Sequence, residues 1–213
     1  MRRGKLSGVR WVIPLLALAA IGLILYATWR RVAPVPAPDW TRLEARARAF
    51  CAERGLSYPL QQPSLRIEKG ARRLTLLEQG AVVAQFPIAL GSAPNGHKQR
   101  EGDRKTPEGD YFVCEKHVSR RFYLFLGLSY PNARDAQAGY RAGRITKAQL
   151  QAIESAIRAG RCPPWNTPLG GAIGIHGGGT KRDWTLGCIA VDDAHIELLY
   201  MLVPVGCPVQ ITP

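Results

Sequence analysis

The sequence predicts a mainly β domain, a sandwich or barrel-like fold with a few helices, preceded by one transmembrane helix. Three observations lead there. Short strand-like stretches separated by turn residues fill most of the chain after residue 64. Helical periodicity is confined to a few short places. Residues 11–29 (WVIPLLALAAIGLILYATW) form a 19-residue run without a charge. The length of 213 residues suits one ordinary domain plus an appendage, and 46% hydrophobic with 21% charged residues argue for a globular core over disorder.

The apolar run comes first. At ~1.5 Å per helical residue it is just long enough for a ~30 Å hydrocarbon core, and Trp11, Tyr26 and Trp29 stand near its ends, where amphipathic rings favour the interface. Four cations (Arg2, Arg3, Lys5, Arg10) precede it and two (Arg30, Arg31) follow, which keeps the short N-terminus in the cytoplasm and puts the rest outside. The competing reading is a cleaved signal peptide at Ala17-Leu18-Ala19. Only Trp11–Leu16 would then serve as apolar core, short of the usual ~7–15 residues, so an uncleaved signal-anchor is expected over residues 1–31. Residues 32–38 (VAPVPAP) alternate proline and form a stiff, extended linker.

Residues 39–63 hold a helix and a connection. Asp39 or Thr41 can cap it, Thr41 and Glu44 have capping-box spacing, Gly55 stops it, and Leu43, Ala47, Phe50 and Cys51 share a face. The main domain spans 64–213. Leu65–Lys69 and Arg73–Gln79 flank the turn Gly70-Ala71, and Ala81–Leu90 follows Gly80; Leu74 and Leu76 alternate, as do Val82, Ala84, Phe86 and Ile88. Gly91–Gly102 is a loop, and Thr106-Pro107-Glu108-Gly109 turns into a strand over Asp110–Glu115. Phe122–Leu128 and Ile173–Ile175 are buried strands. Between them, residues 132–164 form an insertion, a lid or simply packing, with one helix over Lys147–Ala159 capped by Thr146. Asp193–Leu202 is helical and Pro208–Thr212 closes the chain as a strand.

Net charge is +13, with six cations and no acid in residues 1–31; the remainder has 23 cations against 16 acids. That surface suits an anionic partner, but no basic helix or zinc-finger spacing accompanies it, which argues against nucleic acid. The histidines and cysteines show no CxxC or HxxxH spacing, so no metal is expected.

The chemistry concentrates near the C-terminus, in Ile173-Gly174-Ile175-His176-Gly177-Gly178-Gly179 and Thr185-Leu186-Gly187-Cys188-Ile189-Ala190-Val191. A histidine ending a buried strand can be held rigidly while its ring faces a cleft, and glycine lets backbone approach a ligand closely. An adjacent imidazole activates a thiol, and backbone N–H groups around Gly187–Cys188 can form an oxyanion hole. A buried structural cysteine or histidine is the bland alternative.

The run Ile175-His176-Gly177 followed by Thr185-x-Gly187-Cys188 resembles the His-Gly … Ser/Thr-x-Gly-Cys signature of L,D-transpeptidase (YkuD/ErfK-type) catalytic domains. The resemblance extends over residues 64–212. Lys98, Gly102-Asp103, Thr106-Pro107-Glu108-Gly109, Ser129-Tyr130-Pro131-Asn132 and Leu169-Gly170-Gly171 stand in the family's order. The resemblance implies a bacterial cysteine acyltransferase of the inner membrane with its catalytic domain in the periplasm, acting on peptidoglycan stem peptides without a cofactor. Cys188 would be the nucleophile, His176 the general base and acid, the Gly177 carbonyl the group orienting the ring, and the Gly187 N–H an oxyanion donor. Thr185, Trp184, Arg182, Thr106 and Tyr130 would contact substrate.

One departure stands out. Many family members have Arg or Asn two residues after the cysteine, where this chain has Ala190, which leaves the acceptor open between an amine, a wall-attached lipoprotein and water. A hydrolase using the same Cys188 and His176 is therefore an alternative, and the basic surface supports a third reading, a non-enzymatic wall-binding module. Cys51, Cys114, Cys162 and Cys207 allow three pairings, and nothing in the sequence chooses among them.

Overall fold

The structure, a computed structural model, describes residues 37–213. The expected anchor and most of the linker lie outside the described residues, and among those described no helix is long and apolar enough to cross a membrane.

Helix α1 (Trp40–Ala52) starts at Asp39, whose carboxylate accepts from the Arg42 N–H at 3.1 Å, and buries Leu43, Ala47 and Cys51. Strands β1 (Pro63–Glu68), β2 (Arg73–Glu78) and β3 (Ala81–Pro87) form an antiparallel meander. β4 (Gly109–Ser119) and β5 (Tyr123–Leu128) form a hairpin, with β4 bulged between Val113 and Glu115. Then come α2 (Ala133–Arg141), α3 (Lys147–Arg158), β6 (Gly174–His176), β7 (Ile189–Ala190), α4 (Asp193–Leu202) and β8 (Pro208–Thr212).

All eight strands belong to one sheet, in the order β3-β2-β1-β8-β4-β5-β6-β7. Beyond β3 the chain reaches the opposite edge of that sheet. Ala89 and Ala190 exchange two backbone hydrogen bonds of 2.9 and 2.8 Å, and Gly91 bridges Thr185. The expected sandwich or barrel thus resolves into a single sheet curled until its ends touch. Bending requires a break in the ladder, and the β4 bulge, where pairing passes from β8 to β5, supplies one.

The core fills the curl. Leu65 and Ile67 of β1, Leu74 and Leu76 of β2, Leu124, Leu126 and Leu128 of β5, and Ile196, Leu199 and Leu202 of α4 are all buried in one cluster with the inner face of α1. The inner residues of β1 and β5 keep the period of two. The alternation expected over Val82–Ile88 holds only at its end: Phe86 and Ile88 are buried, whereas Val82 is 61% exposed, because the pairing with β2 shifts register between Leu76 and Leu77, leaving Val83 as an extra residue and reversing the alternation before it. Glu197 of α4, itself nearly buried, binds Arg42 and Arg46 of α1 at 2.5 and 2.9 Å and the Tyr123 hydroxyl at 2.8 Å, fixing α1 against the domain.

The insertion carries two helices where the sequence reading expected one. Both begin with capping boxes, Asn132 with Asp135 and Thr146 with Gln149, and they bury Ala136, Ile145, Ile153 and Leu169 in a small cluster of their own. Cys114 of β4 forms a disulfide with Cys162 just after α3, tying the insertion to the sheet; Cys51 and Cys207 are buried free thiols.

Candidate active site

Strands β6 and β7 pair in parallel with Ile175 opposite Ile189 and His176 opposite Ala190. Alternation sends Ile175 and Ile189, both wholly buried, into the core. His176, Ala190 and, one step before β7, Cys188 therefore share the other face. The register sets Cys188 beside Gly174, two residues along from His176, which corresponds to about 8 Å between the two Cα positions from strand rise and spacing.

The Nδ1 atom of His176 lies 2.6 Å from the Gly177 carbonyl oxygen. A carbonyl can only accept, so Nδ1 carries the hydrogen and Nε2 keeps its lone pair, the form a general base requires. The ring is buried among aromatics: Phe122 stacks on it at 4.3 Å between centroids, Trp184 meets it edge-on at 5.6 Å, and Phe125 lies parallel at 6.4 Å. Burial holds its pKa below the ordinary imidazole range, against the opposing bond to Gly177.

The Cys188 thiol donates to the Ala172 carbonyl at 3.5 Å and makes no hydrogen bond to His176. Although the residue is partly exposed, the protein packed around its sulfur pushes the thiol up to about 11; the Gly174 N–H and the positive charge of Lys98 pull the other way. The pair thus rests as a neutral thiol and a neutral imidazole. Ala172 itself has a φ of +51°, a left-handed conformation that turns its carbonyl toward the sulfur at the end of the Leu169-Gly170-Gly171 run.

The turn before Cys188 is held from within. Thr185 is buried; its hydroxyl donates to the Cys188 carbonyl at 2.7 Å and accepts from the Gly187 N–H at 3.1 Å. Gly187 has a φ of +139°, and a Cβ there would lie 2.7 Å from the Lys105 carbonyl oxygen, so only glycine lets the turn lie against residues 104–106.

The structure sets Gly177 and Trp184 against His176 and puts Cys188 on the same face of the strand pair. The others do different work. Thr185 closes the turn, so its hydroxyl is not free for a substrate, and the Gly187 N–H is committed to Thr185. Among the described residues the Cys188 N–H has no such partner and stays open to an acceptor. Thr106 is wholly buried and accepts from the Gly91 N–H at 3.0 Å, and Tyr130 is buried with its hydroxyl donating to the Leu169 carbonyl at 3.1 Å; both are structural. Arg182 is exposed on the loop before Trp184. Its neighbour Asp183 is bound by Arg72 at 2.7 Å and by the Leu90 N–H at 2.9 Å.

Sequence reasoning missed Phe122, the Ala172 carbonyl and Asp193, whose carboxylate accepts from the Gly178 N–H at 2.8 Å. The only hint was the Asp192-Asp193 pair opening α4. Among the described residues no cluster of three or more His, Cys, Asp or Glu side chains is placed to hold a metal.

Residues 62–211 match the sequence profile of the L,D-transpeptidase catalytic domain, YkuD. A 65-residue stretch is 37% identical to the putative L,D-transpeptidase YafK of Escherichia coli K12, covering 30% of this chain and 26% of that protein; the match spans about a quarter of the curated relative's length. Among solved structures, the fold is similar to the helical cell shape determining protein Pgp2 of Campylobacter jejuni, at 20% identity and a TM-score of 0.48, over 79% of this chain and 55% of that one. It is also similar to Bd1075 of Bdellovibrio bacteriovorus, at 19% identity and a TM-score of 0.47, over 73% and 49%.

Proposed function

The chain belongs to the L,D-transpeptidase catalytic domain family, and from that premise we propose that it is a membrane-anchored enzyme in which Cys188 and His176 transfer the acyl group of a peptidoglycan stem peptide. The observation that carries the reading is the placement of both side chains on one face of the β6–β7 pair, with the His176 Nε2 lone pair free and Nδ1 fixed by Gly177. The thiol leaves the Ala172 carbonyl and gives its proton to Nε2 as the sulfur attacks the carbonyl of the third stem residue. The Cys188 N–H faces the developing oxyanion. His176 then returns the proton to the departing D-alanine amine, leaving a thioester, and deprotonates the acceptor that releases it.

The Cys114–Cys162 disulfide supports an oxidising compartment such as the periplasm, and the uncharged run at 11–29 supports an anchor in the inner membrane. The acceptor is an amine of another stem or of a wall-attached lipoprotein. A second reading, hydrolysis at the same thioester, is favoured by one observation: Ala190 is wholly buried and offers an acceptor nothing to bind.

The test is intact-mass spectrometry of the full chain in detergent with a disaccharide-tetrapeptide donor. The expected result is a tripeptidyl adduct, absent in Cys188→Ala and consumed faster when an amine acceptor is added. A reduced, accessible Cys188 that never acquires the adduct would sink the catalytic reading, and an adduct discharged at the same rate with or without amine would leave hydrolysis as the activity.

A further inference from the structure

The peptide unit that orients His176 is itself held at its other end. Its carbonyl, from Gly177, takes the His176 Nδ1–H at 2.6 Å, and its N–H, from Gly178, donates to Asp193 Oδ1 at 2.8 Å. One rigid plane therefore joins the ring to a carboxylate in the first turn of α4. The fit is close: a Cβ on Gly177 would lie 2.4 Å from Asp193 Oδ1 and 3.2 Å from Ile196, so only glycine admits the carboxylate here. Hydrogen bonding at the N–H polarises a peptide and strengthens its carbonyl as an acceptor.

We infer that Asp193 is a positioning residue for the Cys188–His176 pair, acting through the Gly177–Gly178 peptide. The inference rests on the proposed catalytic use of that pair. Asp193 fixes the peptide plane so that Nε2 faces Cys188, and its negative charge favours the imidazolium formed when the thiol gives up its proton.

Other charged groups nearby are otherwise engaged. Asp192 lies 3.4 Å from the Thr180 hydroxyl and 3.7 Å from His195, Glu197 binds Arg42, Arg46 and Tyr123, and Lys98 acts on Cys188 itself. The groups stacked on the His176 ring, Phe122, Phe125 and Trp184, carry no charge. Asp193 also acts on the Tyr123 hydroxyl, which already bonds Glu197.

The experiment is iodoacetamide alkylation of Cys188 across pH in the full chain in detergent, with ¹⁵N-histidine spectra of the same samples. Alkylation reads thiol activation without any peptide substrate. Asp193→Ala is expected to slow it about three- to tenfold at pH 8, for a charge of this kind discounted for exposure. Asp193→Asn, which keeps an acceptor but no charge, falls between. The His176 Nδ1 resonance shifts in Asp193→Ala, while Asp192→Ala, which removes a charge from the same helix start, stays within about twofold of the parent rate. Parent-like alkylation and an unmoved His176 resonance in Asp193→Ala would overturn the inference while leaving the catalytic pair intact, provided His176→Ala is slow. If His176→Ala also matches the parent, the catalytic reading itself fails.

Discussion

Replacing Thr185 by valine isolates what holds the turn before Cys188. The two side chains have nearly the same shape, so the change removes a hydroxyl and leaves packing almost intact. That hydroxyl makes two hydrogen bonds at a buried position, one to the Cys188 carbonyl and one from the Gly187 N–H. Two such bonds are worth about 1 kcal/mol each, and a buried N–H left without an acceptor costs about 1–3 kcal/mol. The cost to stability should be about 2–4 kcal/mol. At roughly 2–4 °C per kcal/mol for a domain of this size, Tm should fall by roughly 5–15 °C.

Urea unfolding gives the free energy and differential scanning fluorimetry the midpoint, with Thr185→Ser as control. Serine keeps both bonds and loses a methyl, so it should stay within about 1 kcal/mol of the parent. Valine should also slow Cys188 alkylation, because the carbonyl and amide flanking the sulfur are no longer pinned. A valine variant within about 0.5 kcal/mol of the parent, with unchanged alkylation, would refute the assignment of Thr185 as the clasp of this turn.

Three other outcomes are expected. Because burial raises the Cys188 thiol to about 11 and lowers His176, the neutral resting pair reacts by passing its proton to His176, and alkylation of the parent should be nearly flat from pH 7 to 9; in His176→Ala, where only free thiolate reacts, it should be slower and climb about tenfold per pH unit, and the same steep climb in the parent would contradict a role for His176. Replacing Cys114 and Cys162 by serine opens a loop with a sequence separation of 48, which chain entropy values at about 4 kcal/mol; the double variant and the parent in reductant should melt alike and well below the parent without reductant, and an unchanged Tm would show that the bridge is not formed in solution. Phe122→Ala uncovers His176, and since burial is the main cause of its lowered pKa, the ring's midpoint in an NMR titration should move up toward the ordinary imidazole range; a midpoint that stays put would assign the depression to other neighbours.

What the sequence disclosed follows the range of the forces involved. Helices α1, α3 and α4 and strand β8 were legible to within a residue or two, because caps, glycine stops and apolar spacing are local. Helix α2 was missed although Asn132 and Asp135 are spaced as a capping box, since it lacks the apolar stripe that marked α3; it buries only Asp135, Ala136 and Gly139. The two-residue strand β7 has no periodicity to read at all. Cys188 and His176 were legible because glycines and short spacing surround them. Phe122, the Ala172 carbonyl and Asp193 reach the site by tertiary contact alone, and nothing local marks a carbonyl turned by a left-handed φ. Thr185, Thr106 and Tyr130 were read as facing a ligand, but their hydroxyls face backbone.

Ala190 is where fold and chemistry constrain one another. Two residues past Cys188, it shares the face that carries Cys188 and His176, yet both its N–H and its carbonyl are spent on Ala89 to close the curled sheet, and the side chain is wholly buried beside a second buried alanine. The segment 88–91 is held to Ala190 through these backbone bonds. That segment also carries Gly91, which bridges Thr185, donates to Thr106 and lies so close to the Arg104 carbonyl that a Cβ would sit 2.1 Å from it. Displacing it would unseat the Thr185–Cys188 turn. The backbone of Ala190 is therefore spent on this closure, and under the proposed acyl transfer the contacts to an acceptor would come from nearby side chains that do not close the sheet: Trp184 beside the ring, Leu186 at 69% exposure and the exposed Arg182.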